Sequence, residues 1–111
     1  DGARSLREGA IVRLDEAPAT VADGLRTRFL GERNFEILRR RVETIVTVEE
    51  EEILEALRWL WMRMKVVVEP SAAVPLAALR SGRLPVAGRR VGVILSGGNV
   101  DPARVGEWLA G

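Results

Sequence analysis

An α/β fold is predicted by three observations on this chain of 111 residues. Short β-branched or apolar runs alternate with stretches of helical periodicity, the order expected of strands alternating with helices. One run, Val91 to Leu95, leads into a glycine turn, Ser96-Gly97-Gly98-Asn99. Asp101-Pro102 then opens an amphipathic tail, with aspartate as an N-cap and proline at the first helical position. The last of these patterns reads as buried strand, turn and helix. In open α/β sheets a ligand binds at such a turn, beyond the carboxyl end of the strand.

The remaining elements follow in order. Asp1 to Gly9 is polar apart from Leu6 and suits a short helix with Gly9 just past its end. Ala10 to Leu14 reads as a strand, Asp15 to Thr20 as a loop around Pro18, and Asp23-Gly24 as a turn. Asn34 is the expected cap of a helix from Phe35 to about Arg41, with Phe35, Ile37 and Leu38 inward. The Arg39–Arg41 run is either a solvated helix end that complements the macrodipole or a phosphate-binding patch. Thr44 to Val48 is β-branched and reads as a strand.

A helix from about Glu50 to Met64 has the clearest pattern. Glutamates 49 to 52 crowd its start, and Arg63 and Lys65 its end. Ile53, Leu54, Leu57, Leu60, Trp61 and Met64 form one stripe, while Trp59 and Met62 fall off it. Two large apolar side chains outside the stripe imply a second cover, from a subunit or from protein beyond this chain. Val66 to Val68 is a further short strand candidate. Ala72 to Arg80 is a helix of small residues suited to packing on a sheet, with Pro75 expected in its first turn. Arg83 to Arg90 reads as a surface loop, and Pro102 to about Leu109 as the last helix.

Composition narrows the chemistry. The chain is 47% apolar and 30% charged, with net charge +1, so no global field favours nucleic acid. It has no cysteine and no histidine, which removes thiol nucleophiles, the commonest general base and the commonest metal ligand. Lys65 is the only lysine, and hence the only side chain able to form a Schiff base. No apolar run is long enough to span a membrane, and the first residues lack a signal-peptide pattern, so a cytoplasmic location is expected. Taken alone, Ser96 on its glycine turn is either a ligand site or a tight connection.

Several segments together are more specific. Val66 to Leu79, VVVEPSAAVPLAAL, is followed by VGVILSGGNVD from Val91 to Asp101. TVADGL at Thr20 to Leu25, ETIVTVEEEEI at Glu43 to Ile53 and RMK at Arg63 to Lys65 fall in the same order. These segments resemble the C-terminal part of the catalytic domain of threonine dehydratases and serine racemases. Those are pyridoxal 5′-phosphate enzymes of fold type II, the tryptophan-synthase-β type, in which strands alternate with helices in three layers.

The resemblance implies that residues 1–111 are a partial catalytic domain of an enzyme that removes water from a hydroxy-amino acid to give a 2-oxo acid and ammonia. It implies that Ser96 hydrogen-bonds the cofactor's pyridine nitrogen, that Gly97 and Gly98 let the ring edge approach, and that Glu69 lies near the ring. It places Asp23 and Gly24 beside the substrate. Lys65 and Asn99 match contacts to a nucleotide effector at a dimer interface. Asp1 matches one acidic ligand of a Mg²⁺ or Ca²⁺ site, although one carboxylate cannot hold a hard cation alone.

The family's Schiff-base lysine and Gly-rich phosphate cradle correspond to positions upstream of Asp1. No residue of this chain is therefore expected to be catalytic. Alone, the chain is expected not to turn over substrate, and to associate with the N-terminal part or as a homo-oligomer. Ala73 replaces the family's usual glycine, and Glu49 replaces a Ser or Thr cap, weakening that helix start by up to about 1 kcal/mol. Three other readings compete: a serine or aspartate racemase, a free-standing effector-binding module derived from the enzyme, and a structural α/β domain without a site.

Overall fold

The computed structural model describes all residues, 1–111. It divides into two compact units. One comprises Asp1–Ala19 and Gly24–Thr47, the other Thr20–Asp23 and Val48–Gly111.

In the first unit, helix α1 (Gly2–Glu8) ends as expected, with Gly9 in the left-handed region at φ 70°. Ser5 is fully buried on this helix, and its hydroxyl accepts the Val12 N–H at 2.9 Å, which satisfies a polar group that would otherwise be costly to enclose. Helix α2 (Glu32–Arg41) begins earlier than the Asn34 cap predicts, because extended Gly31 is its N-cap. Phe35 is buried, but Ile37 is exposed rather than inward. Arg39 and Arg40 both donate to the Glu36 carboxylate, at 2.9 and 3.4 Å, so these two arginines of the run form a solvated helix face.

The second unit is built on α3 (Glu50–Trp59), a π turn (Leu60–Met64), α4 (Pro70–Arg80) and α5 (Pro102–Ala110). Ile53, Ala56, Leu57 and Leu60 from the first two elements meet Ala72, Ala73 and Ala77 of α4, with Val68 and Ala22 completing one core. Alanines leave no bulk between the helices, so their backbones approach closely. Glu52 reaches back to accept the Glu49 N–H at 2.8 Å, closing the start of α3. Arg83 donates twice to the Glu52 carboxylate, at 2.9 and 2.8 Å, and ties the loop after α4 to α3. Asp101 caps α5 by accepting the Ala103 N–H at 2.9 Å, as its sequence signals. Arg58 of α3 donates to the Trp108 carbonyl at 2.8 Å.

Four expectations are corrected. No residue pairs into a β-ladder, so Ala10–Leu14, Thr44–Val48, Val66–Val68 and Val91–Leu95 are not strands, and the alternating three-layer arrangement is not formed within these residues. A strand exists only beside another, because its N–H and C=O groups point sideways to a neighbour. Helix α4 accordingly packs on α3 and not on a sheet. Pro75 lies inside α4 rather than in its first turn, because the helix starts at Pro70. Met64 is 52% exposed and leaves the apolar stripe, because the helix changes to π geometry before reaching it.

Candidate functional site

The candidate site is where the Val66–Glu69 segment meets the glycine turn. The Glu69 N–H donates to the Gly97 carbonyl at 3.1 Å. A Cβ at Gly97 would run into the Glu69 carboxylate, and one at Gly98 would lie 2.9 Å from the Val67 carbonyl oxygen. Gly98 is therefore required by close approach of the backbone, whereas a Cβ at Gly97 would have to displace the flexible Glu69 carboxylate. Glu69 is the N-cap of α4 but makes no side-chain capping bond, and its carboxylate lies along Gly97 instead. Leu95 packs against the core of the second unit, whereas Ile94 is 79% exposed. Ser96, directly after Leu95, is exposed at the tip of this run.

The Asp23 turn rests on the same core. Ala22 is buried in the cluster that holds Val68, and each precedes a candidate residue, Asp23 or Glu69. The Thr20 hydroxyl accepts the Ala22 N–H at 3.1 Å, and the Glu50 carboxylate accepts the Val21 N–H at 2.8 Å. Asp23 and Gly24 then form a single 3₁₀ turn, Asp23–Leu25, with Asp23 exposed. Lys65 and Asn99 are both exposed and lie just before Val67 and just after Gly98, on either side of that backbone contact. Lys65 is the one non-glycine residue in the left-handed region, at φ 58°.

Asp1 stands apart in the first unit. One of its carboxylate oxygens is buried with no hydrogen-bond partner. No group of three or more acidic, histidine or cysteine side chains gathers in the chain, so Asp1 has no companions with which to hold a cation here.

Sequence reasoning missed the π turn and the bond by which Trp61 Nε1 donates to the Val68 carbonyl, at 2.9 Å. An unbroken helical stripe conceals such a change of pitch. It did separate Trp59 and Met62 from the stripe. They are 37% and 56% exposed and, with Glu55, Arg58, Arg63 and Arg80, line an open groove. The Arg80 guanidinium lies over the Trp59 ring, 5.8 Å from its centre.

With this geometry in view, comparison with known proteins is direct. Residues 2–97 match the model of the family described as pyridoxal-phosphate dependent enzyme. An L-threo-3-hydroxyaspartate ammonia-lyase from Pseudomonas sp is 46% identical over the whole chain, which covers 34% of that protein. A serine racemase from Schizosaccharomyces pombe is 42% identical over 99% of the chain and 34% of its own length. The crystal structure of a threonine deaminase from T.th. superposes with a TM-score of 0.85 at 53% identity, over 91% of this chain and 36% of that one. The chain belongs to the pyridoxal-phosphate-dependent enzyme family, among ammonia-lyases and racemases, and its fold is that of these fold type II enzymes. It spans about a third of the length of these relatives. No helix is long and apolar enough to cross a membrane.

Proposed function

We propose that this chain is the C-terminal part of a catalytic domain that eliminates water from a hydroxy-amino acid, threonine or serine. The observation that carries this reading is the exposed Ser96 at the tip of the Val91–Leu95 run, beside Gly97 and Gly98, the second of which the close Val67 carbonyl requires. These residues fit the pyridine edge of pyridoxal phosphate: a free hydroxyl for the ring nitrogen, and no Cβ at Gly97 or Gly98 to obstruct the ring. The bound cofactor supplies the electron sink that lets the substrate's α-proton leave and its β-hydroxyl depart.

The chain's own residues orient this chemistry. The Ser96 hydroxyl donates to the ring nitrogen without protonating it, which keeps the sink moderate. Gly97, without a Cβ, would leave room for the ring edge beside the Glu69 carboxylate. Asp23 and Gly24 form the turn beside the substrate. The lysine and phosphate cradle come from outside these residues, and Lys65 has no covalent role. The rest of the catalytic domain, or a second subunit, covers Trp59 and Met62.

The test assays the full-length protein carrying this chain with L-threonine and L-serine. The expected result is 2-oxo acid and ammonia, with Ser96→Ala lowering kcat/KM by about 10- to 100-fold, the loss of one hydrogen bond to the reacting system. Unchanged kinetics in that variant would overturn the role of Ser96. Formation of D-serine without pyruvate would favour a second reading, racemisation, which the similarity to the serine racemase supports. Racemisation requires an acid/base group on the opposite face, also from outside these residues.

A further inference from the structure

We propose that Trp61 is a positioning residue for the Ser96 wall, acting through the peptide between Val68 and Glu69; its link to catalysis rests on the cofactor reading above. That peptide is planar and trans, so its C=O and N–H point in opposite directions. Trp61 Nε1 holds the carbonyl at 2.9 Å, and the Gly97 carbonyl holds the N–H at 3.1 Å. One peptide is thus held from both sides, with an indole at one end and the residue after Ser96 at the other.

The π turn brings Trp61 to this position. From Leu60 to Met64 the helix abandons α geometry, a change often found at functional sites. The Leu60 carbonyl accepts the N–H groups of both Lys65 and Val66, the latter at 3.3 Å. Lys65 enters the left-handed region to reverse the chain, a conformation that disfavours any residue with a Cβ. The chain returns alongside the helix, the Trp61 ring packs against the core, and Val68 is buried within reach of its N–H. The part-buried Val68 carbonyl needs a donor, and among residues 1–111 the Trp61 indole is the one that supplies it. Without the indole donor the peptide can tilt, its bond to Gly97 weakens, and Ser96 loses register with whatever it faces.

Hydrogen exchange tests this in the full-length protein that carries this chain. In the wild type, the Trp61 indole N–H exchanges much more slowly than the indole N–H of an unstructured peptide. Trp61→Phe keeps an aromatic ring, though a smaller one, and removes the donor. It raises exchange at the Glu69 amide by about tenfold or more, while the amides of Ala77 and Ala78 change by less than about twofold. Trp59→Phe leaves the Glu69 amide unchanged.

Exchange of the wild-type Trp61 indole N–H at the rate of an unstructured peptide would overturn the proposal, even if the Phe variant failed to fold. So would a rise spread evenly over α4, which would mark Trp61 as a general core residue. In the full-length protein, Trp61→Phe weakens the visible circular dichroism of bound pyridoxal phosphate without releasing it, and an unchanged band overturns the link to Ser96. If the wild-type protein binds no pyridoxal phosphate, the cofactor reading fails, and exchange still decides whether Trp61 holds the peptide.

Discussion

Helix α3 and the Val91–Leu95 run are both rich in large aliphatic residues, yet they have opposite fates. Leu57 of α3 is completely buried, and Ile94 is 79% exposed. Helix α3 satisfies its backbone internally and buries its stripe against a neighbour close in sequence, α4. The Val91–Leu95 run has neither advantage. Its backbone requires an adjacent strand, and only one of its faces, through Leu95, meets the core. Apolar composition marks what is to be covered, and element type decides whether the chain can cover it alone.

Three measurements test that contrast, in order of falling effect. Leu57→Ala leaves a cavity in the α3–α4 core and is expected to lower unfolding stability by about 2–5 kcal/mol, read from urea unfolding. A loss below about 1 kcal/mol would mean that this core is no better packed than the open run.

Arg83→Gln is expected to have a smaller, pH-dependent effect. Hydrogen bonding from Arg83, helped by the Glu49 N–H, holds the Glu52 carboxyl below its ordinary pKa. A carboxylate whose pKa is depressed on folding contributes stability above its unfolded pKa. That contribution disappears as pH falls through the folded value. The wild type should therefore lose its advantage over the variant on acidification below the usual carboxylate range, and a constant difference across pH would refute the link. Both side chains are solvent-accessible, so the effect at neutral pH is modest.

Ile94→Thr, on the open run, is expected to change unfolding stability by less than about 0.5 kcal/mol. It should reduce binding of a hydrophobic dye and self-association. A large loss of stability would show that Ile94 already has a partner within the chain.

Much of the helical frame was legible in the residues. Gly9 after α1 and Asp101-Pro102 before α5 are local signals, and local geometry obeyed them. The start of α2 was misplaced because Gly31 caps without a side chain, leaving Asn34 as the more visible candidate. The closeness of Glu69 to Gly97 was not legible from spacing, because it joins residues far apart in the chain. Only the family resemblance groups Glu69 with Ser96 and Gly97. By its spacing Trp61 is one more apolar residue of the stripe, since nothing in an amphipathic pattern distinguishes an α turn from a π turn.

The sequence by itself determined most of the helical frame, the glycine after α1, the cap of α5, most of the apolar stripe of α3 and the membership of a pyridoxal-phosphate-dependent family. These depend on interactions between near neighbours, or on residue identity alone. Tertiary structure decided that α4 packs on α3, that the glycine turn lies against Val67 and Glu69, and that one peptide is held between Trp61 and Gly97. It also decided that the β-branched runs remain unpaired in this chain. The physical reason is the same throughout: a helix closes its own hydrogen bonds, whereas a strand, a close glycine contact and a buried carbonyl each need a partner distant in sequence.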